Sequence, residues 1–368
     1  MVRFSFIRFV PFLAFALVCL GLCAEAKPRL AFQVYGVRDL CEKDFAGTLK
    51  AVKTIGFEGV ETGRFYGCDA AKLKALCADA GLELVALQLY PDTLVEPELA
   101  KTIAFCRDCG CRRINVAWFK GSAENLRDWR LLVNVLNHAA EVCAREGITI
   151  GYHNHDQEFL IQHEGRPVCD WLFKNFSPLV KQEFDPGWCV LAGGDPVKWL
   201  DAHPGRNPTI HVMPAIRPDA KLVPGKAAVG SAADQAEWPR ILAAAEKGGT
   251  EWLVVKPTLF PAQLDDLKAS YAFLKGLSFG AAEEPLGVRL TTPQYRNNFY
   301  PGQDASRVAE RDPYHPVFFA TRGEALRTLR ALPASRQRSG TSSLRQLRRG
   351  VRTEKTVRLA AFGLFKND

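Results

Sequence analysis

Residues 148–155 read ITIGYHNH, apolar and β-branched at the start and abruptly polar at the end. A short apolar run of this kind fits a strand buried on both faces, as in a parallel sheet. A polar cluster at its C-terminal end is where parallel α/β folds gather their chemistry. Just before it, Leu126 to Glu146 is a long amphipathic stretch closed by Gly147, which predicts a helix with a glycine stop. Working outward, the same unit recurs on both sides. Towards the N-terminus lie LAFQVYGV from Leu30, GVE at Gly59–Glu61, LELVALQLY from Leu82 and RRINVAWF from Arg112. Helical stretches separate them: one through Phe45, Leu49 and Val52, one through Leu73 and Leu76, and one from about Glu96 to Cys109. Towards the C-terminus lie KQEFDPGW, TIHVMPAI and EWLVVKPT, before a closing helix from Leu264 to Leu277. Glycines at 56, 81, 110 and 248 stand where further helices should end.

Eight strand–helix units within a body of about 250 residues predict an α/β fold, a closed (β/α)8 barrel. A doubly wound open sheet would want a glycine-rich phosphate loop after its first strand, and QVYGVRD is not one. The chain has 368 residues, room for one barrel plus appendages, and its 47% hydrophobic content supplies a core.

The two ends differ from the body. Arg3 and Arg8 precede an unbroken apolar run, Phe9 to Leu22, and Ala24-Glu25-Ala26 fits a small-x-small cleavage site. The run is shorter than the about 20 residues of a membrane span, so residues 1–26 are expected to be a signal peptide. The mature chain should begin at Lys27, be periplasmic or secreted, and have no stable membrane insertion after cleavage. The net charge is +8, but residues 285–368 hold 16 Lys plus Arg against 6 Asp plus Glu, leaving 32 against 34 elsewhere. The basic character therefore belongs to the C-terminal tail and gives the body no nucleic-acid groove. Residues 27–280 are expected to be the barrel and 281–368 an extended, Arg-rich, unstructured tail, with 287–308 a candidate strand laid on the barrel.

Eleven cysteines fall to nine once Cys19 and Cys23 leave with the signal. An odd number leaves at least one free thiol. Cys106, Cys109 and Cys111 cluster without a matching group nearby, which favours a buried structural role with room for one disulfide over a metal site.

The strand ends are unusually polar. They carry Gln33, Tyr35 and Arg38, then Glu61, then Gln88 and Tyr90, then Trp118. The fifth adds His153, Asn154, His155 and Glu158, the sixth Glu183 and Asp185, the seventh His211 and the eighth Lys256. Alternation puts His153 and His155 on one face, and Glu183 and Asp185 on another. Imidazoles and carboxylates on adjacent strand ends make a candidate cup for Mn²⁺, Zn²⁺, Co²⁺ or Fe²⁺. Plainer roles stand beside this one. Asp185 could cap a turn, Glu61 and Arg38 could form an ion pair, and Glu158 could anchor the loop after the fifth strand.

FQVYGVRDL, GFEGVETGRFYG, GYHNHDQEF and EFDPGW resemble LYSVRD, GYKGVEFAGFYG, GYHNHDFEF and ELDVGW of the sugar phosphate isomerase/epimerase group, the xylose isomerase-like TIM barrels. The likeness runs in order from Gln33 to about Leu277. It implies one divalent metal held by residues from strands five to eight, here His153, Asp185, His211 and the position of Lys256. There the family pattern has a glutamate, so metal binding is expected to be weakened. The resemblance implies a small sugar or keto-sugar substrate and proton transfer next to a carbonyl. His155, Glu158 and Lys256 are the catalytic candidates, and Gln33, Arg38, Glu61, Trp118 and Glu183 the substrate-binding ones. The alternative is a non-catalytic carbohydrate-binding barrel that has lost its metal site.

Overall fold

The structure, a computed structural model, describes residues 27–121, 123, 125–217, 227–256 and 264–277. The expected signal segment and the expected tail lie outside the described residues. Eight parallel strands close a barrel: β1 (Arg29–Gln33), β2 (Gly59–Thr62), β3 (Glu83–Leu89), β4 (Arg113–Val116), β5 (Thr149–His153), β8 (Val180–Phe184), β9 (Thr209–Val212) and β10 (Trp252–Val255). Between β5 and β8 a small antiparallel pair, β6 (Gln162–His163) and β7 (Arg166–Pro167), forms an insertion that the sequence pattern does not signal. Closure is made by β1 pairing with β10, Phe32 standing opposite Val255. The register slips once between β2 and β3, around Val60 and Glu61, where β3 carries an extra residue.

Helices line the outside, as the amphipathic stretches require. They are α1 (Arg38–Lys43), α2 (Phe45–Ile55), α3 (Ala70–Asp79), α4 (Glu98–Cys109), α5 (Arg127–Arg145), α6 (Gln157–Leu160), α7 (Val168–Asn175), α8 (Pro186–Leu191), α9 (Pro196–Ala202), α10 (Trp238–Lys247) and α11 (Leu264–Gly276). Aspartates start several of them: Asp44, Asp69 and Asp195 each accept a backbone N–H of the first turn.

The outward strand residues Phe32, Val60, Ile114, Tyr152, Phe184, Ile210 and Val255 pack with the helices in the main core. The barrel interior has its own small apolar cluster of Ala31, Val85, Ala86, Trp252 and Val254. Arg29 lies over the Trp252 ring, its guanidinium carbon 4.1 Å from the centroid, and pairs with Glu58 and Glu83 at the N-terminal rim. The floor is thus filled, and the polar residues of the interior stand above it.

The nine cysteines of the described chain are all buried and all free. The expected room for a disulfide is not used among the described residues, because each thiol points into the core as a small apolar group. Cys106, Cys109 and Cys111 fit this pattern, with Cys109 donating to the Cys106 carbonyl at 3.4 Å.

Candidate active site

One layer above the floor, a chain of buried polar side chains crosses the barrel. Gln33 Nε2 donates to Gln88 Oε1 at 2.9 Å, and Gln88 Nε2 donates to Glu183 Oε2 at 2.8 Å. His211 Nε2 lies 3.2 Å from Glu183 Oε2 and 2.8 Å from Glu61 Oε1. Asn115 Nδ2 completes the chain to Glu61 Oε2 at 3.2 Å. Glu61, Glu183 and His211 have no exposure, so their charges must answer one another. Burial, together with repulsion from Glu183, pushes the Glu61 carboxyl up. Burial opposes the charge on Glu183 too, but His211 and the bonds around it hold that carboxyl below its usual range. Burial alone would lower His211; Glu183 and Glu61 outweigh it and raise the imidazole. Three charge-bearing groups therefore share protons as one unit.

The other edge of His211 faces the cup. His153, Asp185 and His211 each offer one donor atom, and these atoms lie within 4.8 Å of one another, all buried. Asp185 has two jobs: its Oδ1 accepts the Trp188 N–H at 3.1 Å and so starts α8, while its Oδ2 turns to the cup, 3.8 Å from His211 Nδ1. Gly187 is needed here, since a Cβ would meet the Met213 carbonyl oxygen at 2.2 Å. Asn154 fixes the same corner, accepting the Asp185 N–H at 2.9 Å and donating to its carbonyl at 3.2 Å. His153 Nδ1 lies 3.3 Å from the Glu183 carbonyl, which leaves Nε2 for the cup.

Lys256 closes the ring. Its Nζ is 3.3 Å from His153 Nε2 and 3.9 Å from Asp185 Oδ2. Burial lowers the ammonium from its ordinary range, and Asp185, Glu183 and Glu61 oppose that. Burial raises Asp185 to about 6, with Lys256 the first opposing influence. Asp185 Oδ2 and His211 Nδ1 have no hydrogen-bond partner among the described residues. The donor types suit a divalent ion, but an ammonium has no lone pair to lend and stands against two of the three donors. As they stand, these residues do not fit a divalent metal.

The remaining sequence candidates divide by position. His155 stacks edge-on to His153, ring centroids 4.7 Å apart, and beside Trp188 at 5.6 Å. Its Nδ1 is buried without a hydrogen-bond partner among the described residues. Burial, then the charges of Lys256 and His211, hold its pKa well below the usual value, so the ring is neutral near pH 7. Glu158 is fully buried on the helix side of β5, where Tyr152 Oη donates to it at 2.5 Å and the His155 backbone N–H at 2.7 Å. That geometry gives it an anchoring place in the loop rather than one facing the mouth. Glu61 takes His211 and Asn115 as partners, not Arg38. Arg38 lies on the Tyr35 ring at 4.7 Å and donates to the Tyr35 carbonyl at 3.4 Å. Trp118 is half-buried just past β4. Asn115 was missed from sequence, although a lone amide inside RRINVAWF was its signal; Gln88 was visible only as a polar strand end.

Residues 49–274 match the xylose isomerase-like TIM barrel family. The chain belongs to that family. An inosose dehydratase of Geobacillus kaustophilus is 27% identical over 187 residues, covering 45% of this chain and 60% of that relative, so the alignment spans less than two thirds of it. A sugar phosphate isomerase/epimerase from Parabacteroides distasonis superposes with a TM-score of 0.57 at 20% identity, over 70% of this chain and 99% of that one. An L-ribulose 3-epimerase superposes with a TM-score of 0.51 at 15% identity, over 67% and 93% respectively. At such identities these two likenesses speak for the fold alone. Family membership makes this chain a relative of sugar isomerases, epimerases and dehydratases that act on small sugars and often use divalent metals.

Proposed function

We propose that this family member moves a proton next to the carbonyl of a small sugar or keto-sugar, as an isomerase, epimerase or lyase. The observation that carries the reading is His155, a neutral imidazole whose Nδ1 is unclaimed beside a mouth lined with fixed polar groups. A base for such a proton needs a free lone pair in a partly dry site. Lys256 and His211 supply positive charge for the oxygen on which negative charge develops. Gln33, Gln88 and Glu183 form a rigid polar floor under the sugar. Trp118 and Trp188 offer aromatic faces for its C–H side. Arg38, stacked on Tyr35, stands at the ends of the first strands as a further hydroxyl contact. The second reading, a carbohydrate-binding barrel without turnover, draws on Lys256 among the cup's donors.

The test is solvent exchange. Incubating the protein with a panel of aldoses, ketoses and keto-sugars in D2O should place deuterium on the carbon next to the carbonyl of at least one of them, read by NMR. His155→Ala should lower that rate by about a hundredfold or more. Binding of a sugar without exchange, unchanged by His155→Ala, would establish the binding barrel instead.

Residues 27–280 are, on this reading, the working body, exported by residues 1–26 and followed by a basic tail. The apolar run of Phe9–Leu22 and the Ala24-Glu25-Ala26 site support the export half.

A further inference from the structure

We propose that the Lys256 ammonium is the resident cation of the barrel mouth and that its presence keeps divalent metals out. Three facts converge on it. His153, Asp185 and His211 bring three donor atoms within 4.8 Å of one another, with no exposure to water beyond a trace. Two of those atoms, Asp185 Oδ2 and His211 Nδ1, have no hydrogen-bond partner among the described residues. A buried carboxylate oxygen without a hydrogen-bond donor, as Asp185 Oδ2 is, calls for positive charge close by. Lys256 brings it, with Nζ 3.3 Å from His153 Nε2 and 3.9 Å from Asp185 Oδ2.

The side chain is rooted firmly. The Lys256 N–H donates to the Val212 carbonyl at 3.1 Å, which continues the β9–β10 ladder past its last paired residue. A metal ion bound at about 2.1 Å from each donor would sit about as near Nζ as the donors do. Two cations at that spacing repel in a site that water does not screen. The ammonium carries three N–H groups. His153 Nε2 takes one at 3.3 Å, and Asp185 at 3.9 Å answers the charge without a hydrogen bond, which leaves N–H groups for a substrate oxygen. Only this last role rests on the proton-transfer reading above; the exclusion of metal stands on the geometry alone.

Metal content is the test, and it needs no substrate. Protein made with Mn²⁺, Co²⁺ and Zn²⁺ supplied should be desalted and its bound metal measured, with Mn²⁺ and Zn²⁺ affinities from titration calorimetry. The unaltered chain should retain no stoichiometric metal. Lys256→Glu should hold one ion per chain, about a hundredfold or more tighter, because a fourth donor replaces a repelling charge. Asp185→Asn in that background should abolish the gain. Lys256→Met, which removes the charge without adding a ligand, should fall between the two. It also carries the test if Lys256→Glu does not melt cooperatively. One tight ion per unaltered chain would overturn the proposal, and so would affinities unmoved in either folded variant. Loss of the exchange reaction would sink the functional reading and leave these metal results standing.

Discussion

Tyr152 and His153 are neighbours in β5 and serve opposite faces of it: the phenol points to the helices and the imidazole into the barrel. Glu158 sits on the phenol's side, fully buried, and ties Tyr152 Oη, Gln157 and the His155 backbone into one knot. That knot sets where His155 leaves the strand, so under the proposed function Glu158 is a positioning residue for the base. Burial raises its carboxyl from the ordinary 4.5 to about 7, against the bonds from Tyr152 and His155. A carboxyl with a raised folded-state pKa holds its proton more tightly when folded. Its contribution is therefore complete below the unfolded value of 4.5 and is lost as pH rises through 7. Glu158→Gln removes that titration. The stability gap between the parent and Glu158→Gln should shrink by up to about 3 kcal/mol from about pH 4.5 to about pH 8. Urea unfolding across that range measures it, and a gap that stays flat or widens would contradict the assignment.

At the level of strands and helices, β4 and β5 show how the interior layer is built. Gly151 stands opposite Asn115, and a Cβ on it would lie 2.2 Å from Asn115 Oδ1. The missing side chain makes room for the amide that holds Glu61. Gly151→Ala should displace Asn115 and cost about 1–3 kcal/mol. In an Asn115→Ala background the same change should cost well under half of that, because nothing remains to collide with. A four-way cycle by denaturant unfolding reads the coupling; equal costs in both backgrounds would refute it. These elements also mark what the sequence could tell. All eight barrel strands were visible, because apolar runs ending in polar clusters are how a barrel strand buries its length and opens at its mouth. The β6–β7 pair was not, since two-residue strands have no period to read. Asn115 and Gln88 escaped a role because their meaning depends on partners 54 and 95 residues away, Glu61 and Glu183. Alternation brought His153 and Asp185 to the right end of the barrel, yet it could not show which side of β5 would claim Glu158. Position alone placed Lys256 at the mouth; the distances to His153 and Asp185 add which groups it meets there.

Across the whole molecule, the positive charge and the thiols are sorted into different places. The net +8 is carried by residues 285–368, while the body is near balance. The nine thiols of residues 27–277 are spread through the core, each buried and unpaired. Burial pushes Cys41, Cys77, Cys111 and Cys143 each up to about 12, so the reactive thiolate is scarce at neutral pH. Export would carry these thiols into an oxidising compartment, where exposed cysteines pair. The proposed export and the free thiols are compatible only if folding buries them before oxidation does its work. Protein recovered from the native host should therefore begin at Lys27 by N-terminal sequencing. It should give no labelling with a thiol reagent while native, and nine labelled thiols per chain after denaturation without reductant. Intact Met1 would rule out processing by a signal peptidase. A count lowered by two for the denatured chain would mean that a pair of these cysteines had oxidised on the way to the folded barrel, and that burial came too late to protect them.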